Sequence, residues 1–195
     1  MLAQPEFERG LTVTKLAEQL GVGRTIVYRL VATLEARGLV ARAPDGRVVI
    51  GLGMARFSAA ILPRLRAAAQ PSLRQLAEAV GATAHLTIVE GDQAVAVAVV
   101  EPTWTSYHVA YRVGVRHELT IGAAGKAILR GRRGQRGAVA TDGELQPGAH
   151  GIAAPLTDVA PLEGSVGVVS LSRLDFAAVE PRVLDAARQL AAALR

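Results

Sequence analysis

The stretch LAEQLGVGRTIVYRLVATLEARGLVAR, residues 16–42, places two helical patterns on either side of a Gly-Val-Gly break. A short helix, a tight turn and an arginine-studded helix so close together fit a unit in which the second helix is held out by the first for something to read. Thr12 or Thr14 can cap the first helix, Leu16, Ala17 and Leu20 share one of its faces, and Gly21 stops it. From Arg24 to about Arg37, Val27, Leu30, Val31 and Leu34 follow the i, i+3, i+4, i+7 spacing of a single buried stripe. Roughly opposite that stripe lie Arg24, Thr25, Tyr28, Arg29 and Ala32. Gly38 ends the helix, and LVAR and VVI around the Asp45-Gly46 turn signal predict a small hairpin. The predicted unit is helix, turn, helix, wing.

Such a unit invites a test of charge. Up to Arg66 the chain carries ten basic and five acidic residues, and after it twelve of each, so the whole net charge of +5 sits in the first third. A segregated positive charge is what a polyanion-binding module joined to a neutral domain shows. The major groove of B-form DNA admits one α-helix, with the residues near its N-terminus toward the base edges. Arg24 and Arg29 have the chemistry to pair with guanine edges or phosphates, Thr25 to bond a phosphate or base, and Tyr28 to offer a ring and a hydroxyl. Arg42 and Arg47 flank the hairpin turn, where a wing would meet the backbone or the minor groove.

Beyond the wing the pattern changes. Residues 52–80 are helical in pattern with prolines at 63 and 71, which predicts one or two connecting helices broken at those prolines. Strand-like runs rich in Val, Ile and Thr follow at 84–89, 94–100 and 107–113, then a helical stretch at 123–130. Two further strands are expected at 152–157 and 165–172, with a final helix opening at Pro181 and running through Leu194. Strands with helices before, between and after them predict an α+β domain on an antiparallel sheet. The expected organisation is a DNA-binding domain at 1–52, a helical linker at 53–72 and a second domain at 73–195.

Several chemistries find no support. With no cysteine there is neither a thiolate nucleophile nor a thiolate metal site, and a reducing cytoplasm fits. The start, MLAQPEFERG, has no basic segment leading into an apolar run, and no window has about 18 consecutive apolar residues, so neither a signal peptide nor a membrane span is expected. The histidines 85, 108, 117 and 150 lack a zinc-binding spacing, and no G-x-S-x-G elbow occurs. GAAGK at 122–126 is not a phosphate loop: the glycines are too close and Ala127 follows the lysine where a hydroxyl is needed. Small residues there leave room either for a ligand near the amides of a helix start or for close packing of that helix on a sheet. No enzyme, metal or cofactor is expected.

The segment LTVTKLAEQLGVGRTIVYRLVATLEARGLVARAPDGRVVIG resembles the winged helix-turn-helix of the IclR family of bacterial transcriptional regulators. GVRHELTIGAAGKAIL (residues 114–129) resembles that family's effector-domain signature, and RGAVATDGELQPGAHGIAAPLTD with VGVVSLS resembles its closing strands. Within the resemblance, Gly23 stands where a proline usually opens the recognition helix, and RGRRGQR (130–136) stands where a longer helical insert is usual. The resemblance implies a GAF-like effector domain, dimers or dimers of dimers, and binding to palindromic double-stranded operators. It implies an effector pocket lined by Ala123, Ala124, Ala154, Pro155 and Ser170 or Ser172, with Leu119, Ile121 and Glu144 nearby. Such a pocket suits a small carboxylate or aromatic metabolite. The expected function is a DNA-binding regulator controlled by that effector; the alternative is a DNA-binding protein whose second domain serves only oligomerisation.

Overall fold

The computed structural model describes residues 2, 7–105, 109 and 111–195, which form two compact units, Met1–Leu62 and Pro63–Arg195. In the first unit, helix α1 (Val13–Leu20) begins at Thr12, whose side chain accepts from the Lys15 amide, and ends at Gly21 in the left-handed conformation. A side chain in that conformation is strained, so glycine is the natural stop. Helix α2 (Arg24–Glu35) follows after two residues of turn beyond that stop. Strands β1 (Val40–Arg42) and β2 (Val48–Ile50) pair antiparallel across the Asp-Gly turn, and Leu11 bridges to Val48. Val13, Leu16, Ala17, Val27, Val31, Val40 and Val48 make the core.

One expectation fails here in part. Of the four-residue stripe on α2, only Val27 and Val31 are buried; Leu30 and Leu34 are 48% and 39% exposed. Together with Leu2, Leu16 and Leu20 they line an open apolar groove of about 310 Å³. The stripe is wider than the small core beneath it can cover.

Helix α3 (Met54–Val80) contains both Pro63 and Pro71, so the expected breaks are absent. Each proline forfeits one backbone hydrogen bond. Opposing that loss, Leu65, Ala69, Leu73, Leu76 and Ala77 form a buried stripe at helical spacing, and Ser72 Oγ donates to the Ala69 carbonyl.

The second unit is an antiparallel six-stranded sheet in the order β5-β4-β3-β8-β7-β6. Its members are β3 (Thr83–Glu90), β4 (Gln93–Val100), β5 (Arg116–Glu118), β6 (Val139–Asp142), β7 (His150–Leu156) and β8 (Gly164–Ser170). Helix α4 (Gly122–Arg132) packs on β6, β7 and β8, and Ala123, Ala127, Ala153 and Val139 meet there. Because strand side chains alternate, the face under α4 takes the odd-numbered residues of β7 and β8 together with Thr83, His85 and Thr87 of β3. The other face carries Leu86, Ile152, Ala154, Val166 and Val168, all buried, and helix α5 (Phe176–Ala193) contacts β7 and β8.

Two more expectations need correction. The strand expected at 107–113 is not formed at residues 109 and 111–113, residues 107, 108 and 110 lie outside the described residues, and the pairing with β4 is made instead by β5. Strand β6 lies in RGAVATD, which is expected among the closing strands from the resemblance alone, its four residues being too few to show alternation. Helix α5 starts at Phe176 behind the Asp175 cap, five residues before Pro181, which therefore lies in the second turn and forfeits one backbone hydrogen bond there. The architecture is α+β, as expected.

Candidate functional site

On the first unit, Arg24, Thr25, Tyr28 and Arg29 are all exposed along α2. Gly23 leaves the helix start without a side-chain cap, so its first amides face outward with Arg24. Among the described residues neither Arg24 nor Arg29 has an ion-pair partner. The wing arginines differ. Arg42 pairs with Glu35 at 3.4 Å and its guanidinium lies 5.9 Å from the Tyr28 ring centroid, which links the wing to α2. Arg47 pairs with Asp45 at 3.2 Å and donates to the Gly10 carbonyl at 3.1 Å, tying the wing back to the chain before α1.

On the second unit, a cavity of about 30 Å³ lies between the sheet and the start of α4. It is bounded by His85 of β3, Tyr111, Ala123 and Ala124 of α4, and Leu145 and Gly151 around β7, with Thr141, Ala149 and residues 168–169 completing it. Gly151 makes the space possible: a methyl group there would stand 3.2 Å from the Ala123 Cβ and 3.3 Å from Thr141 Oγ1. Not every small residue near α4 serves the cavity. A Cβ on Gly125 would come within 2.6 Å of the Leu119 carbonyl oxygen, so this glycine permits close packing of helix on backbone. Gly125→Ala is expected to lower stability by about 1–3 kcal/mol, since backbone has to shift, and urea unfolding followed by circular dichroism measures it.

The cavity's inner end is polar. His85 is 4% exposed, its Nδ1 lies 3.2 Å from Thr87 Oγ1, and its ring meets that of Tyr111 at 5.0 Å and 50°. Burial, aided by the nearby His117, lowers the His85 pKa to about 4, so the ring is neutral at pH 7. Burial likewise raises the Tyr111 hydroxyl, which lies near Thr87 but makes no hydrogen bond of normal geometry. His117 Nε2 is also buried without a partner among the described residues, while its Nδ1 faces the Glu118 carbonyl oxygen at 2.9 Å.

Of the expected effector residues, Ala123 and Ala124 line this cavity. Leu119 is buried against Ala94 and Ile128, and Ile121, 37% exposed, precedes α4. The Glu144 carboxylate accepts from the Gly122 amide at 2.9 Å and from Lys126 Nζ at 2.5 Å, held below the usual carboxylate range by Lys126 first and the amide second. Ala154 and Ser170 do not reach the cavity, because strand alternation puts them on the sheet's opposite face. Ser172 is exposed beyond β8, its amide bonded to Ser170 Oγ. Pro155 faces α4 but lies farther along it, against Gly131. Missed by sequence reasoning were His85, Tyr111, Thr141, Leu145 and Gly151. A signal for the first existed: Thr83, His85 and Thr87 are a polar stripe of period two in an otherwise apolar strand.

Among the described residues no His, Asp or Glu group could hold a metal ion, and no helix is long and apolar enough to cross a membrane. The fold and the exposed basic helix define a winged helix-turn-helix protein with an α+β companion domain. Residues 6–44 match the IclR helix-turn-helix domain and residues 62–135 the bacterial transcriptional regulator IclR C-terminal domain. The chain belongs to the IclR family, whose members are transcriptional regulators and not enzymes. It is 31% identical over 121 residues to the HTH-type transcriptional regulator KipR of Bacillus subtilis (strain 168), a match covering 61% of this chain and 48% of that protein, about half its length. In fold it is similar to an IclR transcriptional regulator from Alicyclobacillus acidocaldarius (TM-score 0.59, 22% identity, 100% of this chain and 94% of that one). It is also similar to an IclR homolog complexed with 4-hydroxybenzoate from Microbacterium hydrocarbonoxydans (TM-score 0.58, 17% identity, 95% and 91%).

Proposed function

We propose that this protein is a cytoplasmic transcriptional regulator whose first unit binds an operator through α2 and whose second unit senses a small molecule. The observation that carries the reading is Arg24 and Arg29, exposed and without an ion-pair partner among the described residues, at the start of a helix presented by a tight turn. Thr25 and Tyr28 share that face and supply base or phosphate contacts. Arg42, held by Glu35 and Tyr28, and Arg47, held by Asp45 and the Gly10 carbonyl, position the wing before they touch a phosphate.

A two-domain regulator works only if its effector binds the DNA-competent and DNA-incompetent arrangements with different affinity; equal affinity shifts nothing. The 4-hydroxybenzoate in the Microbacterium relative supports a small carboxylate or aromatic acid as the effector class. The cavity beside Ala123 and Ala124 has small walls and a polar inner end, which suits such a ligand. Self-association as a dimer or a dimer of dimers would set two recognition helices at half-sites about one helical turn, or a multiple, apart.

The experiment is a fluorescence-anisotropy titration against duplexes tiled across the DNA flanking its own gene, with and without a panel of small acids. One duplex is expected to bind well above the others, and one acid to change that affinity. Binding that is equal on every duplex would refute operator recognition; operator binding indifferent to every ligand the second unit takes would favour a domain serving only oligomerisation.

A further inference from the structure

The first turn of α2 goes against the usual chemistry of a helix start. Its N-cap, Gly23, has no side chain to accept from the free amides, and no acidic residue stands in the first turn. The third helical position, where a glutamate or glutamine ordinarily reaches back to the cap and offsets the positive end of the helix, is Ile26. Isoleucine brings neither benefit, and its branched side chain loses rotamer freedom in a helix. Nor is it placed for packing. Ile26 is 52% exposed, stands outside the core around Val27 and Val31, and does not line the groove beside Leu30 and Leu34.

Gly23 is as little required by the fold. A Cβ there would meet nothing within 4 Å, and its φ of -66° is open to any residue. What the missing side chain leaves is a bare approach to the start of α2, of the kind that lets a backbone come close to a ligand.

The surroundings of Ile26 say what it can touch. At about 100° a residue, Ile26 lies about 60° around the helix from Arg29 and about 100° from Thr25, both exposed. Residues three apart on a helix have Cβ atoms about 5–6 Å apart, and base pairs stack about 3.4 Å apart. With the Arg29 guanidinium on one base pair, Ile26 therefore reaches the next or the one after. Of the groups that base pairs display in the major groove, the apolar one is the 5-methyl of thymine; the others are hydrogen-bond donors and acceptors.

We propose that Ile26 is a specificity-determining residue that reads an operator thymine through its 5-methyl group, one or two base pairs from the pair that Arg29 contacts. This rests on the reading of α2 as the helix that enters the major groove, and adds to it a base recognised without a hydrogen bond. Contact buries the hydrocarbon of both partners. Cytosine in the same place has no methyl to bury, and its amino group would lose water against the isoleucine without gaining an acceptor. The bare Gly23 lets the helix start come near enough for the contact.

The test takes the full chain and the duplex it binds best in the tiled anisotropy titration. Each thymine of that duplex is replaced singly by deoxyuridine, which keeps every hydrogen-bonding group and lacks only the methyl. Affinity is measured for the wild type and for Ile26→Ala. One replacement is expected to weaken wild-type binding by about three- to tenfold, the loss that one buried methyl group carries, and to leave the affinity of Ile26→Ala unchanged. At the other thymines the two proteins respond alike. Circular dichroism checks that the variant is folded, and the wild-type series needs no variant. A wild type indifferent to deoxyuridine at every thymine would overturn the inference. So would a variant that loses as much as the wild type at the sensitive thymine, because another residue then holds the methyl. In both cases selective binding of the duplex leaves the regulator reading intact, whereas equal binding to every duplex removes that reading and this inference together.

Discussion

Changing Arg24 and Arg29 together to alanine is expected to reduce operator affinity by roughly 10²–10⁴-fold, since a side chain reading a base edge contributes about 1–3 kcal/mol. Both guanidiniums are exposed, and neither is engaged by an acidic neighbour among the described residues, so neither has an internal contact to lose when it turns to DNA. The single variants separate the two modes of contact. One that reads a base relaxes preference at that position; one that meets phosphate weakens binding on all sequences and reduces the slope of log K against log salt by about one. Anisotropy at about 50 and about 200 mM salt distinguishes them. Arg47→Ala makes a useful contrast: its bond to the Gly10 carbonyl anchors the wing, so thermal stability should fall with it, which neither α2 variant should show. A double variant that keeps wild-type operator affinity would mean that α2 is not the reading helix.

What the sequence made legible was what rests on local chemistry. The Thr12 cap, the Gly21 stop and the Asp45-Gly46 turn each depend on a few adjacent atoms, and each is found where expected. Legibility ended where burial depends on partners far along the chain. Leu30 and Leu34 have the spacing of core residues, but the neighbours in this unit cover only Val27 and Val31. The prolines of α3 read as breaks because their local cost is plain, whereas the buried stripe from Leu65 to Ala77 that opposes the cost is a tertiary property. In the second unit the same limit decided the site. Ala123 and Ala124, which line the cavity, stand in a contiguous motif, but whether Ala154 and Ser170 reach it depended on which strand face looks toward α4, and a shift of one residue reverses the answer. His85 stood out once β3 was seen flanked by β4 and β8, since only a central strand buries its polar stripe so completely.

That burial carries the second large effect. The folded protein holds His85 near a pKa of about 4, below the value of about 6.5 that the ring takes in an unfolded chain. Because the unfolded state binds the extra proton first, stability is expected to fall as pH drops through the window from about 6.5 to about 4, by about 3 kcal/mol in all. Above that window both states are neutral at this ring and it contributes no slope. Glu144 acts in the same direction at the acid end: its carboxylate is depressed below its ordinary value of 4.5, so the stability it contributes is lost as pH falls from there through its lower folded value. Urea unfolding at a series of pH values measures the slope, and a two-dimensional NMR titration of the imidazole measures the pKa itself. His85→Phe provides the comparison: it leaves Thr87 Oγ1 without its ring partner, a cost of about 1–3 kcal/mol that does not depend on pH, while the slope between pH 4 and 6.5 flattens. An imidazole that titrates near 6.5 in the folded protein would show that water reaches the inner end of the cavity. A ring that stays neutral to about pH 4 would mean that the end is dry, and that any guest there meets a neutral imidazole able to donate or accept but not to pair with a charge.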